Sequence, residues 1–157
     1  RSLLEHIQSE ISGDFKTTLE AVFGAKPAPF DLEADVDALE AAMKGFGTDE
    51  AALISLLCSK TAPQMKEIRE RFKEKKQKDL VEWVKSETSG DFQEALLNLA
   101  RDPVENHCHN IYQCIRGFGT DDTGLITLLT HMSEARRLRV AETYKRLFNK
   151  SLADDIW

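Results

Sequence analysis

Gly45-Phe46-Gly47-Thr48-Asp49 recurs as Gly117-Phe118-Gly119-Thr120-Asp121, an offset of 72 residues. The offset holds on both sides of the glycines. Leu53, Ile54, Leu56 and Leu57 map onto Leu125, Ile126, Leu128 and Leu129, and Leu32, Val36, Leu39 and Met43 map onto Val104, Cys108, Ile111 and Ile115. The upstream sets both step by four, three and four, which draws one apolar stripe along a helix. A second block repeats with an offset of 77: Ser9-Glu10-Ile11-Ser12-Gly13-Asp14-Phe15 against Ser86-Glu87-Thr88-Ser89-Gly90-Asp91-Phe92.

The unit is therefore roughly seventy residues long, longer than the common solenoid repeats. Within 28–101 the pattern predicts five helices and no strand. The first runs from about Asp31 to Lys44. The second follows Thr48, a suitable N-cap, with Asp49 and Glu50 in its first turn. The third starts near Thr61-Ala62-Pro63, where Pro suits a first turn. The fourth spans about Asp79 to Thr88, and the fifth carries Phe92, Leu96 and Leu99 inward. The chain reads as all-α. Residues 1–27 form the last two helices of one unit and a connector, 28–101 a whole unit, and 102–157 helices one to three of another with part of a fourth. Opening mid-element at Arg1-Ser2, without an initiator Met, it reads as a piece of something longer.

Composition narrows the partners. Twenty-one Lys and Arg face 27 Asp and Glu, for a net charge of −6. Such a chain has no general attraction to nucleic acid or to bare anionic lipid, so an anionic partner must be reached through a local patch or a bound cation. No apolar run approaches the roughly 18 residues a membrane span needs. Three cysteines, an odd number in helix-like segments, favour a reducing compartment. His107-Cys108-His109 with Cys114 lacks the spacing of a zinc module, because His107 and Cys114 share a face that Cys108 does not.

The repeated loop has its own chemistry. Two glycines flanking one residue permit a tight backbone with φ values other residues avoid. The loop joins a helix C-terminus to the next N-terminus, so carbonyls without intrahelical partners can converge on a cation. Calcium is a hard ion that accepts such carbonyls together with a carboxylate. Glu87, at the end of the fourth helix, could supply that carboxylate to the first loop. Two glycines between helices also make an ordinary helix–turn–helix joint, and the loop alone does not separate the two. A phosphate-cradling loop fits poorly, with no Gly-Lys-Ser/Thr ending and no preceding strand. Nor is there the alternating Asp/Asn run of an EF-hand.

A unit of about seventy residues and five helices, with [Lys/Arg]-Gly-x-Gly-Thr-Asp before its second helix and Ser-Glu-x-[Ser/Thr]-Gly-Asp-Phe near its end, resembles the annexin repeat. The resemblance covers essentially the whole chain, and both motifs occur twice. It implies right-handed helical repeats of about five helices each. It also implies calcium-dependent binding to anionic phospholipid membranes with phosphatidylserine-like headgroups, by a cytoplasmic protein reversibly at membrane surfaces. The cofactor implied is Ca2+. The ligands carried over are the carbonyls of Met43, Gly45 and Gly47 and both oxygens of Glu87, at about 2.3–2.6 Å. Thr48 and Glu50 match a subsidiary position. The second loop offers Ile115, Gly117 and Gly119, but its acid would fall past Trp157. That site is therefore incomplete, and its loop is expected to be empty or weakly held. Conversely, Glu10 is an acid whose loop would precede Arg1. Two departures stand out: Lys60 occupies a place where many annexin units carry Arg, and Met132 occupies it in the next unit.

Phe46 and Phe118 at the loop tips are candidate membrane contacts, or rings folded back onto the loop. The stretch Lys66 to Lys78 holds seven basic and three acidic side chains and reads as a solvated face of the third helix. Trp83 reads as a packed ring. The stub from Lys150 to Trp157 is expected to fray. No nucleophile–base or acid–base pair can be argued from spacing, so the chain reads as a non-enzyme. The alternative function is a helical protein-interaction scaffold, with cytoskeletal proteins as partners and calcium secondary.

Overall fold

The computed structural model describes residues 3–24, 29–45, 47–116 and 119–156, with the side chains of residues 3, 4, 7 and 8 outside the description. Phe46, Gly117 and Phe118, named above as a loop tip, a ligand and a loop tip, lie outside the described residues. Among the described residues there are eleven helices and no strand. The chain divides into two compact units, Arg1–Arg101 and Asp102–Trp157.

The first unit holds α1 (Leu3–Glu10), α2 (Gly13–Gly24), α3 (Leu32–Met43), α4 (Glu50–Cys58), α5 (Ala62–Lys76), α6 (Leu80–Glu87) and α7 (Gly90–Ala100). Local chemistry sets the boundaries. Asp31 caps α3 by accepting from the Ala34 N–H, and Asp79 caps α6 by accepting from Val81 and Glu82. Ahead of α5, Gln64 reaches back to accept from the Thr61 N–H and hydroxyl. The N-cap of α4 is Asp49, whose carboxylate accepts from the Ala52 N–H, and not Thr48 as the sequence suggested. Thr48 lies one residue too early, and its hydroxyl is committed elsewhere. The core joins Val36, Leu39 and Met43 of α3 to Leu53, Ile54 and Leu57 of α4, Met65, Ile68 and Phe72 of α5, Leu80 and Val84 of α6, and Leu96 and Leu97 of α7. Helix α4 lies against α3, α2 and α7, so its apolar residues are covered from several sides.

The second unit holds α8 (Pro103–Ile115), α9 (Asp122–Thr130), α10 (Glu134–Phe148) and α11 (Leu152–Ile156). Val104, Cys108 and Ile111 pack with Leu125, Met132, Val140 and Tyr144. The 72-residue correspondence does not hold throughout the core: Ile54 is 4% and Val84 0% exposed, whereas Ile126 is 61% and Ile156 38% exposed. In the first unit α2 and α7 cover α4, and the second unit has no described counterpart of either beside α9. Residues 152–156 form α11. Tyr144 donates to Asp155 Oδ2 at 2.7 Å, and Lys150 Nζ lies 3.1 Å from Asp155 Oδ1.

The basic stretch on α5 is not simply solvated. Arg71 and Lys75 pair with Glu33 of α3, Lys75 and Lys76 with Asp37, and Lys76 with Glu40. Sequence reading missed this because the acids sit every three or four residues on another helix. Hydrogen bonds from Arg71 and Lys75 hold the Glu33 carboxyl below its ordinary range. Lys75 and Lys76 do the same for Asp37, and Lys76 for Glu40. All three folded values lie below the unfolded ones. The pairs' contribution is thus complete above the unfolded carboxylate range and is lost as pH falls through the lowered folded values, below about pH 4. The melting temperature should fall with acidification through that window. A Glu33→Gln, Asp37→Asn, Glu40→Gln chain should show a shallower fall, read by circular dichroism. Because most of these pairs reach solvent, roughly 1 M salt should shrink the difference between the two chains.

Candidate metal site

Helix α3 ends at Met43 because Lys44 turns into extended backbone, φ −106° and ψ 122°. The chain then passes through Gly45 at φ +121° and Gly47 at φ +90°. A Cβ at either glycine would meet nothing within 4 Å. Glycine is thus demanded by the backbone angle and not by space. The loop closes when the Asp49 N–H donates to the Ala42 carbonyl at 2.8 Å, and the Lys44 N–H reaches the Ala41 carbonyl at 3.5 Å. Among the described residues no hydrogen bond ends on the carbonyls of Met43, Gly45 or Gly47. They are hard neutral oxygens left available at a helix end.

Glu87 is the last residue of α6, and three side chains satisfy the carbonyls of that end. Thr88 Oγ1 donates to the Val84 carbonyl at 2.6 Å, and Gln93 Nε2 to the Lys85 carbonyl at 2.7 Å. Thr48 Oγ1 donates to the Glu87 carbonyl at 3.1 Å. This last bond spans 39 residues and ties the glycine loop to the carboxylate-bearing residue. The Glu87 side chain is half-buried, and Trp83 Nε1 donates to its Oε1 at 3.1 Å. Sequence reading missed both supports. The separation of four between Trp83 and Glu87 on one helix was the available signal. Nothing local pointed to Thr48. Glu50, in the first turn of α4, is half-buried.

The donor set suits a hard ion. Among the described residues no three His, Cys, Asp or Glu side chains gather as a metal cage. A site here would use carbonyls and one carboxylate, a mixture that calcium takes and that zinc or other thiophilic ions do not favour. The cysteine–histidine run is engaged differently. Cys108 is buried, its thiol faces the Val140 carbonyl at 3.4 Å, and burial pushes its pKa up to about 11, so it stays a neutral thiol. His107 Nδ1 lies 2.7 Å from the Pro103 carbonyl, and His109 stands edge-on to Phe148.

The second loop repeats the frame. The Asp121 N–H donates to the Cys114 carbonyl at 2.9 Å, Gly119 has φ +90°, and Asp121 caps α9 through the Gly124 N–H. Ile115 is half-buried at the end of α8. No described acidic residue stands to this loop as Glu87 stands to the first.

The annexin family model matches residues 34–99 and 106–157. Annexin A13 of Mus musculus is 39% identical over 127 residues, 81% of this chain and 40% of that protein. Among solved structures, chicken annexin V superposes with a TM-score of 0.73 at 32% identity, covering 83% of this chain and 42% of that one. Calcium-bound annexin (Sm)1 gives a TM-score of 0.80 at 25% identity, covering 99% and 49%. The chain thus spans between 25% and 42% of the length of the curated relatives it matches.

Proposed function

The chain belongs to the annexin family, and from that premise we propose that it binds anionic phospholipid membranes in a calcium-dependent way through its first glycine loop. The ligands are the Met43, Gly45 and Gly47 carbonyls and the Glu87 carboxylate. Thr48 and Glu50 are a subsidiary position, and Ile115, Gly117 and Gly119 are an incomplete one. In this reading 28–101 is a whole repeat, 1–27 the end of one and 102–157 the start of another. The observation that carries the reading is the Thr48–Glu87 hydrogen bond, which couples a loop with unclaimed carbonyls to the one carboxylate the site needs.

When bound, calcium supplies positive charge and open coordination positions that headgroup phosphoryl or carboxyl oxygens can fill. The rest is done by the chain. At −6 it repels a phosphatidylserine-rich surface when calcium is low, which makes the response a switch. A single carboxylate among neutral carbonyls implies weak affinity without lipid, toward about 10⁻⁴ M or beyond, and avidity arises when several loops engage one surface. Phe46 and Phe118 are the side chains proposed to touch the bilayer. No described helix is long and apolar enough to cross a membrane. The binder is read as a non-catalytic, cytoplasmic protein.

Co-sedimentation with phosphatidylserine–phosphatidylcholine vesicles tests this. The chain should pellet in millimolar calcium, stay in solution with a chelator, and ignore pure phosphatidylcholine. Pelleting that is indifferent to calcium would favour the scaffold alternative, with protein or cytoskeletal partners.

A further inference from the structure

We propose that Trp83 is a positioning residue for the Glu87 carboxylate, a role that rests on the calcium reading of Glu87 and adds a component to it. The indole N–H donates to Oε1 at 3.1 Å, one helical turn back along α6. A glutamate at a helix end has three side-chain torsions, and ordering them costs rotamer freedom at the moment of binding. The indole removes much of that freedom in advance.

The donor is itself held in place. The Trp83 ring stands edge-on to Phe72 with centroids 5.5 Å apart, and Phe72 is fully buried. The other support is Lys78, whose Nζ lies 4.0 Å from the ring centroid. The chemistry of the donor also matters. Lys or Arg at this distance would neutralise the carboxylate and compete with a cation. An indole N–H is neutral and takes one of about four lone-pair sites. Oε2 and the second site on Oε1 remain open, so bidentate use of Glu87 survives.

The second unit lacks this device. Seventy-two residues on, Phe72 corresponds to Tyr144 and Trp83 to Asp155. There the contact is a hydrogen bond from the Tyr144 hydroxyl to Asp155 Oδ2 at 2.7 Å. Asp155 is an acceptor and cannot steady a second carboxylate. The complete loop thus has an oriented acid, whereas the position behind the incomplete loop has been turned to tying down α11.

The test uses the full chain with Trp157→Phe, so that one indole remains. Glu87→Gln in this background should lower calcium affinity at the loop by at least about tenfold. Trp83→Phe should weaken calcium about tenfold by calorimetry, the low end of what outer-shell partners contribute. Replacing Trp83 by 3-benzothienylalanine, which keeps the ring shape and packing but has sulfur in place of N–H, should weaken it by a similar factor with an unchanged melting temperature. This isostere decides the matter if Trp83→Phe fails to fold. The indole ¹H–¹⁵N resonance should also shift during the titration with the calorimetric midpoint. A purely structural Trp83 predicts an isostere that binds calcium as tightly as the indole, or more tightly, and an indole resonance that ignores calcium. Either result overturns the role of Trp83 and leaves Glu87 untouched. An unchanged calcium affinity in Glu87→Gln overturns the Glu87 reading and this proposal with it.

Discussion

Glu87→Gln lowers calcium affinity at the first loop by at least about tenfold and leaves the metal-free melting temperature little changed. The reasoning separates two jobs of the same residue. The Glu87 carbonyl, which takes the Thr48 hydroxyl, is main chain and survives the substitution. The amide oxygen of Gln can still accept from the Trp83 indole. What goes is the charge, which supplies most of the favourable term against water for a dication otherwise held by neutral dipoles. Calorimetry on the unsubstituted chain should give close to one calcium ion per chain, because among the described residues no acid stands to the loop at Ile115, Gly117 and Gly119 as Glu87 stands to the first. A stoichiometry near two, independent of protein concentration, would contradict that. A stoichiometry that rises toward two with protein concentration would instead mark Glu10 of a second molecule reaching Gly117 and Gly119.

Lys60→Met should destabilise the chain by about 3 kcal/mol, which corresponds to a melting temperature lower by on the order of ten degrees. Lys60 Nζ lies 2.7 Å from Asp35 Oδ2, and the two side chains are 3% and 11% exposed. Contact at that depth is an ion pair more than an aligned hydrogen bond, since Asp35 Oδ2 accepts none. The sequence noted Lys60 as a departure from Arg. The structure shows that the shorter, single-headed cation still reaches its partner. Removing it strands a buried carboxylate, whereas removing both charges does not. The second unit makes the comparison: the positions of Asp35 and Lys60 hold His107 and Met132 there, and His107 lies against Arg136 Nη2 at 3.3 Å instead. A chain carrying Asp35→Asn with Lys60→Met should therefore recover most of the loss. If the double variant is no more stable than Lys60→Met alone, the ion-pair account fails.

How much was legible follows the range of the forces involved. Helices α3 to α7 were readable because apolar spacing, Asp and Thr caps and a first-turn Pro are local signals, and the buried face of α3 matches the stripe it predicts. The distribution of cover was not local. Ile126 corresponds to Ile54 in the repeat, yet burial depends on which helices stand opposite. The basic run on α5 looked solvated because its partners Glu33, Asp37 and Glu40 lie about forty residues upstream. In the candidate site the carbonyl positions and Glu87 follow from motif and resemblance. The Thr48 strut required the fold, since the loop ahead of α4 and the end of α6 must be placed before the hydroxyl of one can meet the carbonyl of the other.

Both glycine loops are closed by the same backbone bond, from Asp49 to Ala42 and from Asp121 to Cys114. That clasp lies upstream of Glu87, and the second loop forms it with no described acid in the corresponding place. The shape of the cup is therefore inherited separately from its charge. A lineage could silence or revive a loop by exchanging a single acid on a distant helix, with no refolding of the turn itself. A protein engineer could grade the calcium threshold of an array of such units in the same way, unit by unit.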